Sequence, residues 1–265
     1  MLVAEVMLQQ TQVERAKSRW SAFLKRFPTT AACADAPLSE LLDEWSGLGY
    51  PRRARNLHLT AIAVEQSGGR IPDRLEDLLA FPGVGPYTAR AVLAFAFEHD
   101  AAIVDTNLGR ILARRAGRTL SSAEAQAAAD DWLPSGQSWA WNQGLLDLGA
   151  LRCRPKAPEC KGCPVRRTCS WAQAGCTAPD PARGSAAVSS RQSKFEGSAR
   201  QARGRLLRAA QQAAVSPQAL CVAVGWVGQV DAEVKARAVA DSLVSDGLLE
   251  RDVDGRYVIA GASPR

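Results

Sequence analysis

Apolar positions recur at helical spacing along most of this chain, for instance at Leu75, Leu78 and Leu79 and again at Ala91, Val92 and Phe95. Gly and Pro punctuate the pattern at Phe27-Pro28, Ser46-Gly47, Ser67-Gly68-Gly69 and Phe81-Pro82-Gly83, so residues 1 to about 150 read as short helices with tight connections. A parallel sheet has no place in that pattern. From 177 to 199 (TAPDPARGSAAVSSRQSKFEGSA) the periodicity lapses into Ser, Ala, Gly, Pro and Arg, a linker composition. Helical spacing returns at Ala202–Ala214 and Asp231–Ser245. Leu248-Leu249-Glu250 follows, and then Asp254-Gly255 stands between Arg251-Asp252-Val253 and Arg256-Tyr257-Val258-Ile259, the signal of a two-residue hairpin. The expected organisation is a helical domain over 1–176, a linker over 177–199 and a small winged-helix-like α+β module over 200–262. No repeat of fixed period occurs.

Composition supports a mainly all-α reading: of the 265 residues only 6% are aromatic, and β-branched runs are scarce. A net charge of +6 fits a polyanionic partner, although solvated arginines give the same total. No stretch approaches the roughly 20 apolar residues of a membrane span, and the start has no signal-peptide pattern, so a cytoplasmic location without membrane contact is expected. Seven cysteines in a reducing compartment then need a reason other than disulfides, and four of them fall between 153 and 169.

Those four, Cys153, Cys160, Cys163 and Cys169, have the spacing C-x6-C-x2-C-x5-C. Four thiolates so close together wrap a metal, and spacing alone leaves both zinc and iron–sulfur open. Arg152, Arg154, Lys156, Lys161, Arg166 and Arg167 surround them, as phosphate contacts or as solvated charge. The segment Phe81 to Arg90 (FPGVGPYTAR) carries Gly83-Val84-Gly85 between a helix ending near Ala80 and one starting near Pro86. Glycines there allow a tight turn and leave amides free at a helix N-terminus, where a phosphate oxygen can sit; a lone turn of this kind is ordinarily just a turn. Asp105 follows an apolar run and precedes Leu108 to Ala113, so it reads as an N-cap, and a helix N-terminus favours its ionised form. Glu5 stands among apolar residues that ring the axis of the first helix. A buried carboxyl there is costly unless protonated, paired or working, and burial raises its pKa as a general acid requires; exposure at the chain terminus is the plainer alternative.

The run Glu5 to Val13 (EVMLQQTQV) resembles the signature of the A/G-specific adenine glycosylase (MutY) family almost letter for letter. The resemblance continues through Trp45-Ser46-Gly47-Leu48-Gly49-Tyr50, Arg53 to His58, the glycine hairpin, Asp105 and the cysteines, over about residues 2 to 175. It implies a two-lobed helix-hairpin-helix DNA glycosylase fold with a 4Fe-4S cluster in the cysteine loop. It implies that Glu5 protonates adenine and that Asp105 stabilises a cationic sugar, with Tyr87 and Asn107 supporting them. Gln10, Thr11 and Leu48 would face the opposite purine and Tyr50 would wedge into the base stack, while Gly83, Val84 and Gly85 would hold a phosphate. Bifunctional relatives carry lysine where this chain has Tyr87, so base removal without strand cleavage is implied, on double-stranded DNA holding adenine opposite 8-oxoguanine or guanine, by a monomer. A thymine mismatch glycosylase and a catalytically impaired DNA-binding iron–sulfur protein of the same fold are the alternatives.

Two departures accompany the resemblance. Family members carry a segment with Pro-Trp-Arg before the Glu5 helix, which leads to the expectation of a truncation, a misassigned start or impaired activity. The tail does not resemble a mutT-like domain. In it Arg203, Arg205 and Arg208 are either phosphate contacts or solvated charge, and Cys33, Cys176 and Cys221 are expected to be inert packing residues.

Overall fold

The computed structural model describes residues 1–186, 188, 194–228 and 230–261. They divide into two compact units, one of residues 3–71, 81–83 and 192–265, the other of 1–2, 72–80 and 84–191. The chain starts with α1 (Leu2–Leu8), α2 (Val13–Arg26), α3 (Thr30–Ala34), α4 (Leu38–Glu44) and α5 (Arg52–Gln66). It continues with α6 (Leu75–Leu79), α7 (Pro86–Ala96), α8 (Thr106–Ala116), α9 (Ser122–Trp132), α10 (Ser138–Leu151) and α11 (Ser170–Gln173). Last come α12 (Ala199–Gln212), α13 (Leu220–Val224), α14 (Ala232–Ser245), β1 (Leu249–Arg251) and β2 (Tyr257–Ile259).

In the unit of α6 to α11, local chemistry sets the helix ends. Pro86 opens α7, where the N–H that proline lacks would have had no acceptor within the helix. Asp105 caps α8, and Gly117 closes it in the left-handed region at φ 72°. Ser121 and Glu124 form a capping box on α9. Ala91, Ile103, Leu108, Ile111, Leu145 and Leu148 make the core, joined by the edge-to-face pair Trp132 and Trp141 at 5.2 Å. Asn142 is fully buried within it. Its amide accepts the N–H of Ile103 (3.1 Å) and donates to the carbonyl of Ala101 (2.8 Å), pinning the extended segment that leads to Asp105.

In the other unit α3 and α4 pack on α5, over a core in which Phe23 meets Phe27 at 4.9 Å and Trp45 at 6.3 Å. The later elements α12, α13 and α14 pack on one another around Leu206, Val224 and Leu243. The antiparallel pair β1 and β2, in register Leu249 to Ile259 and Arg251 to Tyr257, closes that second core with Leu248 and Tyr257.

Three expectations need correction. The strands stop at Arg251 and resume at Tyr257, so the hairpin loop is longer than the two residues expected, because the Asp252 carboxylate accepts the amides of Asp254 (3.1 Å) and Arg256 (2.8 Å) and pulls Val253 out of the ladder. The linker is not free chain at its start. Asp180 binds Arg114, Ala182 and Ser185 are buried, and the Ala186 amide donates to Leu120 (2.9 Å); its other end, Ser198 and Ala199, already caps and begins α12. Finally, α12 to β2 fall in the same compact unit as residues 3–71 rather than standing alone. Linker residues 187 and 189–193, and residues 229 and 262 of the expected module, lie outside the described residues.

Candidate active site

Asp105 is held by geometry as well as by burial. Its Oδ1 accepts the N–H groups of Asn107 (2.9 Å) and Leu108 (2.7 Å) at the start of α8. Burial pushes its carboxyl above the usual aspartate value, and the amides of Leu108 and Asn107 and the charge of Arg110 oppose that without cancelling it. The capping role expected from sequence is present, while the net shift runs against the expectation that the helix end alone sets its charge state. Asn107 is fixed in turn by Arg110, whose Nη2 donates to the Asn107 Oδ1 (2.9 Å) and to the Gly149 carbonyl (2.7 Å), and whose Nε donates to the Cys153 carbonyl (2.6 Å). Gly149 has no alternative, since a Cβ there would lie 2.5 Å from the Asn107 Cβ. One buried arginine therefore joins Asn107 to the first cysteine of the loop. Tyr87, in the first turn of α7, packs half-buried against the core of Ala91 and Ile103.

The glycine hairpin connects α6 to α7. Gly83 adopts φ 75°, and a Cβ there would meet the Asn56 amide at 2.5 Å, so residue and turn are matched. Thr60 donates to the Pro82 carbonyl (3.2 Å) and anchors the turn on α5. Val84 is buried, and Gly85 caps α7 without a side chain.

Glu5 is buried in α1, at 7% exposure, so its exposure at the terminus is excluded. The end of α1 is tied to the turn at 47–50 by Arg53, which no motif singled out for a role. Its Nη1 donates to the carbonyls of Val6 (2.8 Å), Met7 (3.1 Å) and Gln9 (2.5 Å), and its Nη2 to the Thr11 hydroxyl (3.1 Å) and the carbonyls of Leu48 (2.9 Å) and Gly49 (2.9 Å). Burial lowers its pKa to about 10, which leaves it charged at neutral pH. Gly47 at φ 87°, Gly49 at φ 73° and Tyr50 at φ 49° make a left-handed turn that leaves Tyr50 exposed. Gln10 is exposed as well, and Thr11 half-buried. Leu48 departs from its expected role: it is 4% exposed, with its side chain in the core.

Cys153, Cys160, Cys163 and Cys169 line one cavity, together with Arg114 and Trp171. Yet among the described residues no group of three or more His, Cys, Asp or Glu stands close enough to hold a single metal ion. Four thiols around one cavity are the donor set that a four-cysteine zinc ion or an iron–sulfur cluster takes. Arg114 is the support. It is 2% exposed, donates to the Cys153 Sγ (3.3 Å) and the Arg154 carbonyl (2.9 Å), and pairs with Asp180 at 3.1 and 2.6 Å. Cys176 is not an isolated packing residue, because burial and a hydrogen bond with Cys176 push the Cys160 thiol up to about 11. Cys33 fits the expectation, its thiol raised to about 11 by burial.

Residues 3–134 match the family described as HhH-GPD superfamily base excision DNA repair protein. The chain is 37% identical to the adenine DNA glycosylase of Mycolicibacterium smegmatis, over 98% of its own length and 87% of that protein's. The chain belongs to the adenine DNA glycosylase family. As an adenine DNA glycosylase relative it is an enzyme of base excision repair that acts on DNA. The human adenine DNA glycosylase is 38% identical over 63% of this chain and 32% of its own. Among solved structures, a thermostable thymine-DNA glycosylase aligns with TM-score 0.60 and 29% identity over 65% of this chain and 83% of its own, and an endonuclease III–DNA complex, at 23% identity and TM-score 0.59 over 66% and 84%, shares the fold. Arg53, Arg110 and Arg114 escaped the sequence argument because most of their partners are backbone carbonyls, which leave no residue pattern.

Proposed function

We propose that this adenine glycosylase hydrolyses the N-glycosidic bond of adenine paired with 8-oxoguanine or guanine, as a monomer and without cutting the strand. Glu5 gives a proton to a ring nitrogen of the extruded base, the sugar–nitrogen bond breaks with its electron pair leaving on adenine, and Asp105, ionised, faces the positive charge left on the sugar. Water then adds to that carbon and loses a proton. Asn107 orients the site through Arg110, Tyr87 lines it, Gly83 to Gly85 take a phosphate, and Tyr50 with Gln10 and Thr11 meets the opposite strand. Cys153, Cys160, Cys163 and Cys169 would hold a 4Fe-4S cluster, which would make the loop rigid, while Arg152, Arg154, Lys156, Lys161, Arg166 and Arg167 give the loop its positive charge. The observation that carries the reading is the placement of Asp105, a carboxylate fixed by two amides and followed by an Asn107 clamped by Arg110.

Single-turnover assays on duplexes with adenine opposite 8-oxoguanine, guanine and cytosine test it. Glu5→Gln is expected to keep mismatch binding and lose excision by about 100-fold or more; normal turnover in that variant excludes the assignment. Borohydride should trap no covalent adduct at the efficiency of a lysine enzyme, because a phenol at position 87 forms no Schiff base. The thymine-DNA glycosylase likeness favours a second reading, thymine removal. A thymine–guanine duplex in the same assay decides between the two.

A further inference from the structure

The loop that carries the four spaced cysteines folds back on itself at a fifth, Cys176. After α11 the backbone turns through Gly175 at φ 78° and Cys176 at φ 59°. The Cys176 amide donates to the Trp171 carbonyl (2.9 Å), and the Trp171 Nε1 donates to the Thr177 carbonyl (2.7 Å). Residue 176 is thereby clipped to a tryptophan that lines the cysteine cavity, and that tryptophan is fixed in turn, buried with Arg114 over its ring at 4.7 Å. A left-handed backbone is unfavourable for a residue with a Cβ, and glycine is its ordinary occupant after a helix. Cysteine stands there instead, and its thiol is hydrogen-bonded to the thiol of Cys160.

Contact between these two sulfurs decides what they can do. A disulfide needs its sulfurs about 2.0 Å apart, a separation that two thiols already in hydrogen-bond contact close by side-chain rotation. Cys160 lines the cavity with Cys153, Cys163 and Cys169, whereas Cys176 is not part of that lining. Cys160 therefore has two alternative partners, the metal held in the cavity and the thiol of Cys176. Both thiols are half-buried, so a small oxidant reaches them. Cys33, by contrast, is buried in the other unit, away from both.

We propose that Cys160 and Cys176 form a redox modification site: when peroxide strips the metal from the loop, the two join as a disulfide that keeps Cys160 recoverable. One sulfur attacks the peroxide and its O–O bond breaks. That sulfur keeps one oxygen as a sulfenic acid, and the other oxygen takes the thiol proton and leaves as water. The second sulfur displaces the sulfenic oxygen, the S–S bond forms, and that oxygen leaves with the second thiol proton as water, so two thiols are oxidised and one peroxide is reduced. Without Cys176 a sulfenic acid at Cys160 goes on to sulfinic acid, which thiols do not reverse. With the bridge in place Cys160 is out of the donor set, and the loop takes no metal until a dithiol reduces it. The bridge ties residue 160 to the turn after α11 and supplies no interior to the segment between them. The inference rests on the four cysteines being a metal site and not on which metal fills it.

Peptide mapping of the full metal-loaded chain provides the test. The protein is treated with hydrogen peroxide and a chelator until its metal is released, then alkylated, digested without reductant and read by mass spectrometry. In wild type the peptides of Cys160 and Cys176 should appear joined, about tenfold more often than Cys160 joined to Cys153, Cys163 or Cys169. Reduction with a dithiol and resupply of iron and sulfide should then restore the starting metal content. In Cys176→Gly, whose backbone suits φ 59°, Cys160 should appear as sulfinic or sulfonic acid, and several-fold less metal should return. Cys221→Ser, which alters a half-buried cysteine of α13, should behave as wild type. Cys160 left unlinked in wild type, or joined to the other three as often as to Cys176, overturns the proposal, as does full recovery of metal by Cys176→Gly. Zinc in place of iron and sulfide in the starting protein, with the Cys160–Cys176 bridge still formed and zinc resupplied, upholds the proposal and removes only the cluster reading.

Discussion

Asp105 is pulled two ways. Two backbone amides favour its ionised form, burial disfavours it, and burial prevails, so the folded pKa lies above the unfolded one. A carboxyl shifted upward stabilises the fold fully below its unfolded pKa, and that contribution is lost as pH rises through the folded pKa. At neutral pH the ionised side chain therefore costs stability at the position where catalysis needs it charged. Asp105→Asn keeps an N-cap oxygen without the charge. The expected outcome is a higher denaturant midpoint than wild type at pH 7, a difference that closes toward pH 4, and loss of adenine excision. In wild type the acid limb of the single-turnover rate should lie above the ordinary aspartate range. A variant less stable than wild type at pH 7, or an acid limb at the ordinary aspartate value, would contradict this. Asp105 was legible as a cap from its apolar run and the helix after it; the sign of its shift was not, because burial depends on α8, α10 and the segment pinned by Asn142.

Helix periods and glycine punctuation were legible because each is a local property: α7 starts at Pro86, α8 at the Asp105 cap, and α14 falls within one residue of its expected span, while α12 starts three residues early and stops two short of its own. The departures come from side chains that bind backbone. Asp252 reshapes the hairpin by taking two amides, and Arg114 with Asp180 folds the supposed linker down. Arg53 does the same between the end of α1 and the 47–50 turn, binding five carbonyls and one hydroxyl; the Gln9 and Leu48 carbonyls also accept from the Thr11 hydroxyl and that of Gly49 from Trp45, so the Val6 and Met7 carbonyls depend on it most. Each buried acceptor so orphaned costs about 1–3 kcal/mol. Arg53→Met is thus expected to lower stability by about 3 kcal/mol or more, read as a shift of the denaturant midpoint, and Arg53→Lys to fall between, since an ammonium has three donors. A loss below about 1 kcal/mol for Met would mean that solvent or a rearranged turn takes over those carbonyls. The same variant should weaken mismatch binding, because Tyr50 sits beneath this guanidinium at 5.6 Å.

At the scale of the molecule, the cysteine loop and the two compact units differ in what holds them. From 153 to 169 the loop contains two short 3-10 turns and no buried residue in either. Its ties are the bonds of Arg110 and Arg114 to the Cys153 and Arg154 carbonyls, the Cys169 thiol on the Arg114 carbonyl (3.3 Å) and the packing of Cys153, Cys163 and Val165 on the neighbouring core, and a bound cluster would be its interior. The helices it packs against keep their own core at Ala91, Ile103, Leu108 and Leu145, and the module of α12 to β2 has another at Leu206, Val224, Leu243 and Tyr257. Oxidative loss of the cluster should then be local in the sense of partial opening. Hydrogen exchange followed by mass spectrometry is expected to speed up by orders of magnitude in peptides covering 152–176. Peptides spanning Ile103 to Ala113 should accelerate less, through the lost hold on Arg110 and Asn107, and those spanning Leu206 to Ile259 should not change. Uniform acceleration everywhere would mean that the cluster supports the fold of the entire chain, and no change in 152–176 would mean that the loop stands on Arg110 and Arg114 alone. Between those outcomes, a graded response from Cys153 through Arg110 to Asn107 is the signature of a loop that stiffens the site next to it.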